Sequence, residues 1–91
     1  AAGLADVLAA LNDARVEVLL VAEGLRAEGH RDRATGMLYA DDRGGDRGLE
    51  HCADIVEPAI EKAIEQSARV IGVRHHDDLG PLGGIGALLR Y

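Results

Sequence analysis

Residues 83–91 read GGIGALLRY, and the structure assigned to this stretch decides the fold of the whole chain. A phosphate-binding loop would need a strand before it, a helix after it, and either a third glycine or a Lys-Ser/Thr pair. Gly84-Ile85-Gly86-Ala87-Leu88-Leu89 has neither, and only five residues follow Gly86, too few for a helix. Read as a strand, the stretch points Ile85, Ala87, Leu89 and Tyr91 one way and Gly84, Gly86, Leu88 and Arg90 the other. The second face then begins with two bare backbones, against which a helix or loop can pack closely. Nucleotide binding is set aside, and the glycines are read as packing positions.

Working back from that closing strand, Arg69–Val73 (RVIGV) reads as a second buried strand, joined to it by the turn HHDDLGPLGG. Before it, Ile60, Ala63, Ile64 and Ser67 form a narrow apolar stripe, predicting a helix that runs to about Ala68. Its start has two readings. Asp54-Ile55-Val56-Glu57 has capping-box spacing with an acidic cap, which puts Pro58 at the fourth helical position; alternatively Glu57 is the cap and Pro58 the first helical residue. Val16–Ala22 (VEVLLVA) suits a central strand covered on both faces, so strand, helix and strand imply a right-handed parallel crossover. Leu4, Val7, Leu8 and Leu11 recur at helical spacing and predict a first helix over about residues 3–13.

Between these elements lies a polar excursion at about residues 23–52, holding six of the twelve glycines. Only Ala34–Ala40 is apolar enough for a short edge strand, and DDRGGDRG (residues 41–48) has the composition of an exposed loop tip. A structureless loop of that length is unusual in a compact domain, so a lid, a hairpin or a binding loop is expected.

With 91 residues, 47% of them hydrophobic, the chain is one domain, and a core without Phe or Trp must be built from Ala, Leu, Ile and Val. A net charge of −6 provides no long-range attraction to phosphates. Arg26, His30, Arg31 and Arg33 form a local basic cluster, a possible interaction loop, interrupted by Glu28 and Asp32. No apolar run approaches the roughly 20 residues that cross a bilayer, and the single Cys52 cannot form an internal disulfide. A cytoplasmic setting is expected, with no membrane partner. The start at Ala1, without an initiator Met, fits one domain of a longer protein.

Catalytic chemistry has few candidates. His75-His76-Asp77-Asp78 has metal-ligand side chains, yet neighbours on an extended chain point in opposite directions, which favours a solvated turn. His30, His51 and Cys52 lack the local spacing of a zinc site, and Cys52 reads as a buried, unreactive thiol. Ser67, the only serine, sits near a helix end, away from any nucleophile elbow, and Thr35 is the only threonine. Glu57, Glu61 and Glu65 form a solvated row. No catalytic residue, metal or cofactor is expected.

The ending GGIGALLRY resembles the close of the third, C-terminal domain of the eukaryotic and archaeal class-1 peptide chain release factor, subunit 1, and of its paralogue Pelota. NDARVEVLLV (residues 12–21) is similar to that family's helix end and first strand, and residues 54–73 to its helix and second strand. The family motif is carried here by Gly83, Gly84, Ile85, Gly86, Leu88, Leu89, Arg90 and Tyr91. The resemblance covers most of residues 1–91 outside the excursion, and a bacterial relative of the family is the closest description. It implies an α/β fold: an α/β/α sandwich around a small mixed sheet, like the kink-turn-binding ribosomal proteins. It further implies a non-catalytic domain in translation, in termination, ribosome rescue or hibernation, whose partners are a translational GTPase and the ribosome. Peptide release in the family depends on a Gly-Gly-Gln motif of another domain, and none occurs here. Some members carry a cysteine-rich metal site after the first strand, where this chain has only Cys52, so no zinc is expected. The alternative is an RNA-binding module of kink-turn type, for which direct RNA contact through the basic cluster is opposed by the overall charge.

Overall fold

The computed structural model describes residues 1–45, 47–74 and 83–90. Its elements, in chain order, are α1 (Leu4–Asn12), β1 (Val16–Ala22), β2 (Gly29–Asp32), β3 (Leu38–Tyr39), β4 (Leu49–Cys52), α2 (Val56–Glu65), β5 (Arg69–Val73) and β6 (Ile85–Leu89). They form a mixed α/β domain. One sheet has the order β5-β1-β6, with β5 parallel and β6 antiparallel to β1. The other is a small sheet of order β3-β2-β4, antiparallel throughout.

The core is aliphatic, as the composition requires. Val7, Leu8 and Leu11 of α1 meet Leu19 and Val21 of β1, Ile85 and Ala87 of β6, and Val56, Ala59 and Ala63 of α2 in one buried cluster. Register pairs Leu19 with Ala87 and Val21 with Ile85, so these four occupy one face of the main sheet. The two helices touch each other, which helices on opposite faces of a sheet could not do, so both stand on this face. On the other face Val18 and Leu20 are half-buried and Leu88 is 57% exposed. An irregularity between Val16 and Val18 breaks the strand's alternation, which lets both Val16 and Leu19 be buried.

Several expectations from the sequence are corrected. β5 is not a buried strand: it lies at the sheet's edge, with Val70 36% and Ile71 38% exposed. A run of apolar residues does not distinguish an edge from a centre, because strand order is set by the crossover and not by the strand itself. In α2 the buried stripe is Val56, Ala59 and Ala63; of the expected one, Ala63 is buried and Ile60 half-buried against the core, whereas Ile64 is 61% exposed and Ser67 is exposed too. The start of α2 follows the first reading, shifted by one residue, and overturns the second, since Glu57 lies within the helix and does not cap it. Asp54 Oδ1 accepts the Val56 N–H at 3.1 Å, while Pro58 is the third helical residue, within the first turn where its missing N–H would have no helical partner anyway. Ala34–Ala40 is strand only at Leu38–Tyr39, and two unexpected strands, β2 and β4, complete the second sheet. Cys52 is half-buried at the end of β4. Tyr91 and the segment His75–Leu82, with its His-Asp cluster and Gly80, lie outside the described residues.

The second sheet is fastened to α1 by one side chain. Asp32 N–H bonds to the Met37 carbonyl, so the antiparallel alternation turns the N–H and C=O of Leu38 away from β2. Asn12 meets both: Nδ2 donates to Leu38 O at 2.8 Å and Oδ1 accepts Leu38 N–H at 2.8 Å. Beside it Leu38 enters the main core. Gly29 sets the approach on the other side, since a Cβ there would stand 2.7 Å from Ile55 Cβ and 2.9 Å from the Tyr39 carbonyl.

Both helices end in the same way. Ala14 N–H bonds Leu11 O and Arg15 N–H bonds Ala10 O; Ser67 N–H bonds Ile64 O and Ala68 N–H bonds Ala63 O. These are Schellman closures, whose left-handed position favours glycine, yet here it holds Ala14 (φ 55) and Ser67 (φ 63). Ala14→Gly is therefore expected to raise stability by about 1 kcal/mol. In thermal unfolding this is an increase of roughly 4–8 °C in Tm for a domain of this size. Asn12→Ala is expected to cost about 2 kcal/mol, because both Leu38 groups lose a partner in a half-dry site. Urea unfolding followed by circular dichroism measures it, and Asn12→Asp should rescue nothing, since its carboxylate faces the Leu38 carbonyl.

Candidate functional site

The motif strand β6 is a structural seam. Gly84 has φ +84, and a Cβ there would lie 3.2 Å from Leu25 and 3.6 Å from the Ala22 Cβ, so the loop after β1 closes directly on it. Its carbonyl accepts the Ala22 N–H at 2.8 Å. The packing role expected for the glycines holds at this position. At the other end of the motif, Arg90 Nε donates to Val16 O at 3.0 Å, and its Nη2 donates to the carbonyl of Gln66, the last carbonyl of the α2 cap. A cation at a helix C-terminus is favourable to the helix dipole as well as to that carbonyl. The Gln66 side chain then completes the seam: Oε1 accepts Val16 N–H at 3.2 Å and Nε2 donates to Leu11 O at 3.1 Å. The ends of α1 and α2, the start of β1 and the end of β6 thus share one polar network.

The second sheet carries the residues of the expected interaction loop and divides them. Strand alternation sends His30 and Arg31 to opposite faces. Arg31 lies on the face toward α2 and lines a cleft of about 220 Å³ with Thr35, Leu38, Pro58, Glu61 and Lys62. Its Nε donates to Glu50 Oε1 at 2.8 Å across the ladder, and Nη2 donates to the same oxygen. The hydrogen bond to Glu50, then that residue's charge, raises the guanidinium pKa above its ordinary value. On the opposite face His30 packs edge-on to its cross-strand partner His51, with ring centroids 5.5 Å apart, and His51 Nε2 lies 3.7 Å from Glu28 Oε1. Arg26 is exposed in the connection before β2, and Arg33 follows the strand, its N–H bonded to Gly48 O. The four residues therefore surround one small sheet without sharing a face.

A second cleft, of about 230 Å³, separates α1 from the far side of β3 and is lined by Ala5, Ala9, Asn12, Tyr39, Asp41 and Arg43. Arg43 caps the Tyr39 ring at 4.7 Å from its centroid, a cation–π contact. Thr35 Oγ1 accepts the Met37 N–H in the turn between β2 and β3, and Ser67 occupies the cap of α2. Among the described residues no three His, Cys, Asp or Glu side chains converge as a metal site, and no helix is long and apolar enough to cross a membrane.

Sequence reasoning did not find Asn12 or Gln66, since a lone amide at a helix end carries no periodic signal. Nor did it find β2 and β4, whose residues GHRD and LEHC contain one large aliphatic side chain between them. The available signal was charge complementarity, Arg31 opposite Glu50 once the two segments are aligned.

Together, an aliphatic three-stranded sheet under two helices and an outgrown polar sheet define a small mixed α/β domain. No family model matches the chain, and no curated protein sequence matches it. Among solved structures it is similar to the C-terminal domain of Peptide Chain Release Factor from Methanosarcina mazei, with 32% identity and a TM-score of 0.70 over 100% of this chain and 69% of that one. The chain belongs to the family of peptide chain release factor C-terminal domains, and is a translation-related domain.

The turn between β2 and β3 titrates with one carboxylate. Asp32 Oδ1 accepts the Ala34 N–H at 2.8 Å and the Thr35 N–H at 3.1 Å. These bonds, that from Thr35 first and that from Ala34 second, hold its pKa below the ordinary value. A depressed folded-state pKa contributes stability that is present above the unfolded value, near pH 4, and lost as pH falls through the folded value. Amide exchange at Ala34 and Thr35 is therefore expected to accelerate, relative to the intrinsic rate, as pH drops below about 4. Asp32→Asn should remove most of that pH dependence.

Proposed function

We propose that this domain is a non-catalytic docking module of a release-factor-like protein, acting in the cytoplasm in termination, ribosome rescue or hibernation. It would position its parent protein on a translational GTPase, on the ribosome, or on both. The observation that carries the reading is the similarity to a release factor C-terminal domain along the entire chain at 32% identity. It is supported by the seam around Arg90, which explains the family motif by folding rather than by chemistry. The nucleophile candidates agree with it: Thr35 is engaged within a turn, and Ser67 within a helix cap.

The second sheet is the surface proposed for contact, with Arg26, His30, Arg31 and Arg33 distributed around it. Arg26 and Arg33 are exposed at its two ends, while Arg31 faces α2 beside Glu50. Pull-down of the 91-residue chain with purified translational GTPases and with ribosomes tests the proposal. Retention of at least one at micromolar concentration is expected, and the double variant Arg26→Glu/Arg33→Glu should weaken it roughly tenfold without changing Tm. Binding to neither class would remove the reading.

A further inference from the structure

The main sheet has two edges, and the described residues treat them differently. The outer edge of β6 is occupied: Gly3 N–H bonds Ile85 O at 3.2 Å, Ala87 N–H bonds Ala1 O at 2.9 Å, and Ala2 bridges Gly86 in the antiparallel sense. The sheet thus already accepts one short added segment on that side. At the opposite edge β5 pairs with β1 alone among the described residues.

The orientation of its backbone follows from one bond. Val73 O accepts the Glu23 N–H at 2.9 Å, so by the period of two Arg69, Ile71 and Val73 aim their peptide groups at β1. Val70 and Gly72 aim theirs outward, and both residues are exposed. Among the described residues β5 contains no proline and no irregularity interrupts its five-residue register with β1, so two backbone devices that blunt an edge are missing, and the charges that flank it are Arg69 and Arg74. Val70 and Ile71 add exposed apolar surface on the two faces beside that edge.

We propose that the outer edge of β5 is a strand-addition site for an extended peptide segment with apolar residues at alternate positions and acidic residues at its ends. The peptide's backbone would bond the N–H and C=O groups of Val70 and Gly72, and its apolar side chains would lie beside Val70 and Ile71. Charge selects the ends. Arg69 and Arg74 are exposed at the two ends of the strand, local cations on a chain of net charge −6. Arg74 is 3.7 Å from Glu23, itself more than half exposed, so an incoming carboxylate adds to a solvated pair. A second copy of the chain is a poor occupant: antiparallel self-pairing about Ile71 brings the Arg69 of each copy close to the other's Arg74, and in-register parallel pairing stacks Arg69 on itself. The inference stands on the sheet edge alone and does not depend on the translational reading.

Two capped heptapeptides of alternating valine and threonine, one with a glutamate and one with a lysine at each end, titrated into the isotope-labelled chain, test it. The acidic peptide is expected to shift the Val70 and Gly72 amide resonances and slow their hydrogen exchange, and to bind roughly tenfold more tightly than the lysine-ended one. Val70→Pro removes an outward N–H that β1 does not use, and should abolish binding while keeping the circular dichroism spectrum. Should that variant unfold, Arg69→Glu/Arg74→Glu, which leaves the backbone unchanged, should invert the preference between the two peptides. No shift at about 1 mM peptide, shifts confined to other strands, equal affinity for both peptides, or self-association that protects the same amides would each overturn the proposal.

Discussion

The Asn12 amide stands where a neighbouring strand would stand. Its donor and acceptor meet the two outward peptide groups of Leu38 at 2.8 Å each, and on that pair of bonds the second sheet is held to the domain. A polar outgrowth has little apolar surface with which to hold its place. Leu38 is its one fully buried side chain in the main cluster, with the half-buried Cys52 packed against it, while Leu49 is buried apart from it. The direction of approach is then limited by Gly29, where the absence of a Cβ lets Ile55 and the Tyr39 carbonyl come within contact distance of the backbone. An amide that supplies both missing strand partners, and a glycine that permits the approach, substitute for a core that the excursion does not have.

The same economy appears at the opposite end of the main sheet. α1 and α2 end with a gap between them that the Gln66 side chain spans to reach the Leu11 carbonyl. Gln66 and Arg90 fill that gap with donors, while Gln66 Oε1 serves the first N–H of β1. One residue from the cap of α2 and one from the family motif therefore close a seam between four elements. This is why an arginine following an apolar strand is informative about the fold: its partners are carbonyls of Val16 and Gln66, and no ligand is needed to explain its presence.

Legibility in the sequence followed apolar content. α1, β1 and β6 were readable because Leu4, Val7, Leu8 and Leu11, the run from Val16 to Ala22, and the Ile85/Ala87 alternation carry their periods in large side chains. β5 was readable as a strand but not as an edge, since its position depends on where the crossover through α2 returns the chain. β2 and β4 were not readable, because their pairing is between Arg31 and Glu50 and between His30 and His51, and such pairs have no period along the chain. For the interaction loop, proximity in sequence was visible while the division between faces was not; Arg31 and His30 are neighbours whose side chains the pleat sends apart.

Composition then limits the kind of recognition such a domain performs. Interfaces are usually anchored by Trp, Tyr and Arg. This chain has no Trp, and among the described residues its aromatic ring at Tyr39 is already covered by Arg43. Its aliphatic side chains are largely committed to a core made of small units, and Ile64, Val70, Ile71 and Leu88 are the large ones that stand exposed among the described residues. What is left for a partner is arginine, backbone and a few exposed apolar side chains such as Val70 and Ile71. The arginines at 26, 33, 69 and 74 are exposed on an otherwise acidic chain, where each is a local exception to the surrounding field. The backbone is offered where a strand lies at an edge, and β5 has two outward peptide units between two of those arginines. A domain with this composition gains selectivity from matching charge spacing to strand register, because it has few large side chains with which to fill a partner's pockets.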